Sequence, residues 1–454
     1  MKKNLAIYLA LFLLGGIVSC GSDSDETAAP IPYAYIKSFG IGDIRSEYPA
    51  FTSTGEDTTV MRTVSTSSFK FTIDQLAGEV YNNDSLPYCT NVSKVPISMS
   101  VLGIPSIYVD STDTYEAVAN GDSIDFRTPR KFRIYGEGGS FYKDYTVSVN
   151  AHQVDPELMV WSKYPAAEGI VPVRAVEFEG SMLLFGTDGS GANVVAKCAV
   201  EGTPEWACSA VSGLSENADF ATVQRFGGKL FVVDGGTVYS SADALNWSVA
   251  SGNIGAVAIV GASDAAGELW IAGEQGLYMS NDGNAFEQAG ALPQDFPLYG
   301  VSVASYPLAH NNKIIRYMLA GYTAAEKNGK VAVWSKLSTE QAWSSYENAG
   351  NEYPCPALKN IAVVRYNASL YALGGAGVAY GNEVEAFSSL YVSKDNGIVW
   401  KEPAGFYQRL PKELLGENAA FAVAVDSGNY MWIIISGENG GTWKGIINRL
   451  GFKK

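Results

Sequence analysis

Apolar and polar positions alternate in short runs along almost the whole chain, and the runs are broken by glycine-rich turns. From about residue 155 onward the runs repeat. An apolar strand, a short turn, a second apolar strand and a glycine recur, with second strands expected at Met182–Gly186, Lys229–Gly235, Glu268–Gly273, Ile315–Gly321, Ser369–Gly374 and Met431–Gly437. Third strands follow at Val194–Lys197, Val238–Ser241, Leu277–Ser280, Val331–Ser335, Leu390–Ser393 and Thr442–Gly445. A fourth strand opens with an aromatic residue in five of the units: Trp206, Trp247, Phe286, Trp343 and Trp400. The sixth unit has no fourth strand after it, while a spare strand, Leu158–Ser162 with Trp161, precedes the first.

This mismatch has a structural reading. A β-propeller avoids a long open sheet edge by building one blade from both ends of its repeat region. Leu158–Ser162 is therefore expected to be the outer strand of the last blade. Aromatic spacings from Trp161 onward are 45, 41, 39, 57 and 57 residues. Four-stranded blades take about 40–50 residues, so two units carry insertions. The expectation is a six-bladed propeller over 155–454, with seven blades if a long unit hides another.

Residues 31–154 read as a separate all-β domain. Strands are expected at Tyr33–Phe39, Phe69–Ile73, Val95–Val101, Ser106–Val109, Ser123–Phe126, Phe132–Tyr135 and Tyr142–Val149. About seven short strands in such a span suggest an immunoglobulin-like β-sandwich.

The N-terminus differs from both. Lys2 and Lys3 precede an apolar run, Leu5–Val18, too short to span a membrane comfortably. Ile17-Val18-Ser19-Cys20 resembles a bacterial lipobox, which implies a signal peptide over 1–20 and lipidation of Cys20. Residues 21–30 open with Gly21-Ser22-Asp23-Ser24-Asp25-Glu26, a flexible acidic tether. It resembles the tether that carries Bacteroides-type lipoproteins to the exterior of the outer membrane, and acyl chains would supply the anchor.

Composition narrows the chemistry. The net charge of −15 over 454 residues argues against nucleic acid as a partner. Two histidines, His152 and His310, exclude a His-rich metal site; no metal and no cofactor are expected. Cys198 and Cys208 flank a hairpin whose midpoint falls at Thr203, which would set them opposite each other as a structural disulfide.

The sequence around Ser393, Asp395, Gly397 and Trp400 matches the Asp-box pattern Ser-x-Asp-x-Gly-x-x-Trp, with shorter versions at Ser241–Trp247 and Ser280–Phe286. Asp and Ser side chains hold turn amides and the aromatic anchors the hairpin, so the reading is structural and no catalytic residue is assigned. Arg174, Arg225, Arg316, Arg365 and Arg409 recur, but Arg225 and Arg365 fall at turns between first and second strands, away from the usual ligand side. The long loops at the other end bring Tyr299, Tyr322, Tyr353, Tyr380, Phe406, Tyr407 and Arg409 toward one rim, with Glu383, Glu385 and Glu438. A tyrosine-rich rim with carboxylates suits sugars or extended polypeptides, through stacking and hydrogen bonds.

The mature chain as a whole resembles a family of Bacteroides-type surface lipoproteins in which a small sandwich precedes a Kelch-like or Asp-box propeller. The resemblance implies an address and a scaffold but no activity. The expected role is a cell-surface binding or adhesion module for glycan or protein; the alternative is a carbohydrate-active enzyme, a glycoside hydrolase, of the same envelope.

Overall fold

The computed structural model describes residues 33–452 apart from 53–55, 324–329, 348–349, 404–406 and 438–439. The expected signal peptide, Cys20 and the tether lie outside the described residues, as do Phe406 and Glu438. The chain divides into two units, one taking in the residues up to Ala50 with Asp57–Gln153, the other Phe51–Glu56 with Val154–Lys454.

The first unit is all β. A six-stranded sheet runs Phe71–Asp74, Glu79–Asn82, Tyr142–Ser148, Arg130–Tyr135, Ile104–Val109, Thr114–Ala117 in spatial order. A three-stranded sheet orders Tyr35–Ile41, Val95–Leu102 and Ser123–Ile124. Alternate residues point inward: Ile36 and Phe39 from one sheet and Phe132, Ile134, Tyr145 and Val147 from the other share a single core. Four strands were not legible in the hydrophobic pattern: Ile44–Phe51, Asp57–Val64, Glu79–Asn82 and Thr114–Ala117. Asp57–Val64 is exposed along most of its length, so it carries no apolar face to betray it. Glu79–Asn82 pairs parallel to Tyr142–Ser148, unlike its antiparallel neighbours.

The second unit is a β-propeller built of successive antiparallel sheets, here lettered in chain order. Sheet A comprises Val171–Phe178, Ser181–Thr187, Asn193–Ala199 and Ala207–Ala210. Sheet B comprises Ala218–Phe226, Lys229–Asp234, Thr237–Ser241 and Ser248–Val249; sheet C, Ala256–Ser263, Glu268–Gly273, Gly276–Ser280 and Glu287–Gly290. Sheet D comprises Tyr299–Leu308, Asn311–Tyr322, Ala332–Leu337 and Ser344–Ser345. Sheet E has three strands, Ala362–Tyr366, Ser369–Leu373 and Tyr391–Ser393; a lone bridge between Val392 and Lys401 stands where a fourth would pair. Gly377–Ala379 and Asn382–Val384, inserted between the second and third strands of E, form a small separate sheet with Ala357–Leu358, which precedes its first strand.

Sheet F joins Phe421–Val425, Met431–Ile435 and Gly441–Ile447 to Met159–Tyr164 from the other end of the unit. The spare N-terminal strand thus finds its partner, one residue later than its expected start. Trp161 lies opposite Gly445, whose bare backbone seats the indole: a Cβ there would come within 2.6 Å of the ring. Trp161 Nε1 donates to the Arg409 carbonyl at 2.8 Å.

Second strands are apolar on both sides because each sheet is covered on both faces. Leu230–Val233 packs Leu230 and Val232 toward A, and Phe231 and Val233 toward C. The same division runs through C to D, D to E and E to F. Ala422, Ala424, Trp432 and Ile434 of F then pack on Met182, Leu184, Val194 and Ala196 of A. Polar groups reinforce this last contact: Trp206 Nε1 donates to Thr442 Oγ1 at 2.8 Å, Lys444 Nζ to the Val200 carbonyl at 2.8 Å, and Ser427 to Glu177 through its amide at 2.6 Å and its hydroxyl at 2.7 Å.

One expectation is corrected. Cys198 and Cys208 are free thiols. The hairpin is centred one residue earlier than the spacing suggests, so Cys208 lies opposite Ala196 and not Cys198. Cys198 packs into the A–F core, while Cys208 is exposed.

Candidate functional site

Two kinds of feature invite a functional reading: the repeated Ser–Asp turns after third strands, and the tyrosines of the long loops. The turns come first, because their chemistry is internally complete. Ser393 Oγ donates to Asp395 Oδ1 at 2.7 Å and accepts the Gly397 amide at 2.8 Å; Asp395 Oδ1 accepts the Val399 amide at 3.0 Å. Trp400, fully buried, donates from Nε1 to the Gly397 carbonyl at 2.9 Å. Ser241 and Asp243 repeat the pattern, with Asp243 accepting the Leu245 and Asn246 amides and Trp247 donating to Ala244. Ser280 and Asp282 do so with the Asn284 and Ala285 amides.

Those amides settle the carboxylates' chemistry. Amides from Asn284 and Ala285, helped by the Ser280 hydroxyl, hold Asp282 down to about 2. Asp243 is held well below the usual carboxylate range, chiefly by the Asn246 amide and side chain. A carboxylate stabilised this way is a poor general base at neutral pH and cannot serve as an acid. At the third turn the hydrogen bonds among Ser393, Asp395, Gly397 and Trp400 make a hairpin clasp.

The rim tyrosines divide into groups. Tyr299 and Tyr322 are cross-strand partners in sheet D. Tyr322 is buried, its hydroxyl donates to the Leu358 carbonyl at 2.5 Å, and burial pushes its pKa up to about 12. Tyr380 likewise donates to the Trp400 carbonyl at 3.0 Å and is raised to about 12 by burial. Both side chains fasten the small sheet to the D–E core and act as anchors.

Tyr353 is different. It is 36% exposed, and it stands edge-on to Tyr380 with ring centroids 5.4 Å apart. Lys401 Nζ sits 4.2 Å from its ring centroid, and its own carbonyl accepts the Trp400 amide at 2.9 Å. Glu383 is exposed and lies opposite Val378 on the hairpin Gly377–Val384, whose first strand leads into Tyr380. A supported aromatic ring with a cation over it can stack on an apolar or sugar face. Lys401 follows the clasp tryptophan directly, so its position beside the rim was open to sequence reasoning, which passed over it.

Tyr407 and Arg409 belong to a different segment. The Tyr407 carbonyl accepts the Met159 amide at 2.8 Å, and the Arg409 carbonyl holds Trp161. Their side chains meet Phe51, which groups with this unit: the Arg409 guanidinium lies 4.2 Å from its ring centroid and the Tyr407 ring 6.1 Å away. Among the described residues no cluster of His, Cys, Asp and Glu could hold a metal ion.

Residues 155–454 match the DUF6242 beta propeller domain, and residues 45–149 match the DUF6242 N-terminal domain. No match is found among curated proteins. Solved structures of similar shape include a DUF4623 family protein from Bacteroides eggerthii (12% identity, 91% of this chain and 98% of that chain, TM-score 0.34). A gluconolactonase from Xanthomonas campestris is similar over 76% of this chain and 94% of its own (10% identity, TM-score 0.37). AofleA from Arthrobotrys oligospora is similar over 63% of this chain and 86% of its own (13% identity, TM-score 0.37).

Proposed function

The chain belongs to the DUF6242 family, and from that premise we propose that it is a cell-surface lipoprotein whose propeller binds glycan or protein ligands through the Tyr353 rim. In this reading Cys20 carries the lipid anchor, the acidic tether places the protein on the exterior of the outer membrane, and the first unit is an immunoglobulin-like spacer. The propeller has six blades, A to F, its Ser–Asp turns are Asp boxes, and F is the blade that closes the ring. The succession of cores from A to F and back to A supports that count.

One observation carries the binding role. Tyr353 is a half-exposed aromatic held rigid by Tyr380, Lys401 and the Trp400 amide. Rigid, partly desolvated aromatics are what binding surfaces use to gain contact area at low entropic cost. The buried tyrosine hydroxyls are committed to backbone carbonyls, so a binding role fits the rim better than a catalytic one. The test is a glycan array probed with the protein from residue 31 onward, run beside a fluorogenic glycosidase panel. Binding without turnover is expected; hydrolysis of any glycoside overturns the reading.

A further inference from the structure

Sheets D and E meet a second time at the other end of the strands, near the first-to-second-strand turns, and the groups found there are cations and hydroxyls. Arg316 on the second strand of D lies opposite Tyr306 on the first. Its Nη1 donates to Ser335 Oγ at 3.0 Å and Tyr346 Oη at 2.7 Å, while its Nε is buried with no partner. Arg365, from the first strand of E, lays its guanidinium 4.3 Å from the Tyr306 ring centroid. The Tyr306 hydroxyl is occupied, donating to Asn396 Oδ1 at 3.2 Å. Neither arginine forms an ion pair among the described residues.

This arrangement is unusual in a protein with a net charge of −15. A half-buried guanidinium is ordinarily matched by a carboxylate, because desolvating an uncompensated cation is costly. Here burial lowers the pKa of Arg365, and it raises Tyr306 to about 12 against the opposing pull of both arginines. Donors also outnumber acceptors. Ser335 and Tyr346 each accept from Arg316, which leaves their own hydroxyl protons to donate. Arg316 Nε and the Arg365 fork add further N–H groups. A cluster rich in donors, poor in acceptors and positive in sign is complementary to an oxyanion, and a guanidinium fork fits two oxygens at once.

We propose that Arg316 and Arg365, with Ser335 and Tyr346, form a binding site for an oxyanion group, the carboxylate or sulfate ester of an acidic ligand. The site is distinct from the Tyr353 rim and stands or falls separately from it. An acidic saccharide would bring such a group, and uronate and sulfate ester are its two sources.

Isothermal titration of the protein from residue 31 onward tests this, with sodium sulfate and sodium glucuronate as probes at matched ionic strength. Saturable binding of at least one probe is expected: sulfate alone identifies a sulfate ester, glucuronate alone a uronate, and both a shared oxyanion site. Losing one charged hydrogen-bonding partner should weaken binding by about tenfold or more, so Arg365→Gln is the decisive variant. It removes a stacking contact and no hydrogen bond to a described residue, and circular dichroism checks that it folds. Arg316→Gln should weaken binding as well. Arg174→Gln, which changes an arginine in sheet A whose Nε is also unpartnered, should leave it unchanged, as should Tyr353→Ala. Failure of wild-type protein to bind either probe saturably, or undiminished binding by folded Arg365→Gln, overturns the proposal.

Discussion

Replacing Trp161 by alanine probes the junction where the two ends of the propeller unit meet. The indole rests on Gly445, hydrogen-bonds the Arg409 carbonyl and packs against the E–F core. Removing a fully buried tryptophan costs about 3–5 kcal/mol. Trp161 is only partly buried, so about 2–3 kcal/mol is expected. For a unit of ~300 residues with an unfolding entropy of ~0.6 kcal/mol/K, that lowers Tm by about 4 °C. Gly445→Ala tests the same contact from the other side. Its methyl group would lie 2.6 Å from Trp161 Cζ3, an overpacking worth about 1–3 kcal/mol. The double variant is the sharper measurement, because Gly445→Ala should be nearly harmless once the indole is gone. Denaturant titration of the four proteins should give a coupling energy of about 1 kcal/mol or more. Hydrogen exchange should also quicken at the amides of Gly441–Ile447 that pair with Met159–Tyr164. If Trp161→Ala is neutral within about 0.5 kcal/mol and the two substitutions are additive, the N-terminal strand does not close this sheet.

Other outcomes follow from the same geometry. Trp400→Ala removes a fully buried indole and its bond to Gly397, and should cost about 3–5 kcal/mol by denaturant titration, more than Phe286→Ala, whose ring is only partly buried. Asp282, held down to about 2 by turn amides, has a folded pKa below its unfolded value near 4. Its stabilisation is present above pH ~4 and is lost as pH falls toward ~2, so Asp282→Asn should flatten the acid limb of a stability–pH profile in that window. Intact mass under non-reducing conditions should find Cys198 and Cys208 both free. Iodoacetamide should modify exposed Cys208 in the folded protein but Cys198, whose thiol burial raises to about 12, only after unfolding.

Much of the propeller could be read from spacing, since a second strand covered on both faces writes a continuous apolar run into the sequence. Leu230–Val233 and Met431–Ile435 are such runs. Four of the five aromatics expected to open a fourth strand sit just before one: Trp206, Trp247, Phe286 and Trp343 precede Ala207–Ala210, Ser248–Val249, Glu287–Gly290 and Ser344–Ser345. The surface strands of the first unit were illegible for the opposite reason: Asp57–Val64 and Thr114–Ala117 bury little, so no face selects apolar residues. The disulfide failed on register. A hairpin midpoint placed at Thr203 lies one residue from the observed centre, which moves each cysteine's partner by two positions, and spacing alone cannot resolve that. At the rim, residue type suggested recognition for every tyrosine alike. Burial separates them, since Tyr322 and Tyr380 spend their hydroxyls on backbone carbonyls while Tyr353 keeps an exposed ring.

The division between clasp and rim is the account's central claim, and a paired substitution tests it most directly. Glycan-array binding and thermal stability would be measured for wild type, Tyr353→Ala and Asp395→Asn. The prediction is that Tyr353→Ala loses binding at an unchanged Tm, whereas Asp395→Asn lowers Tm through its lost contacts with Ser393 and Val399 and still binds when folded. Loss of binding in folded Asp395→Asn, with Tyr353→Ala binding as wild type, would contradict it.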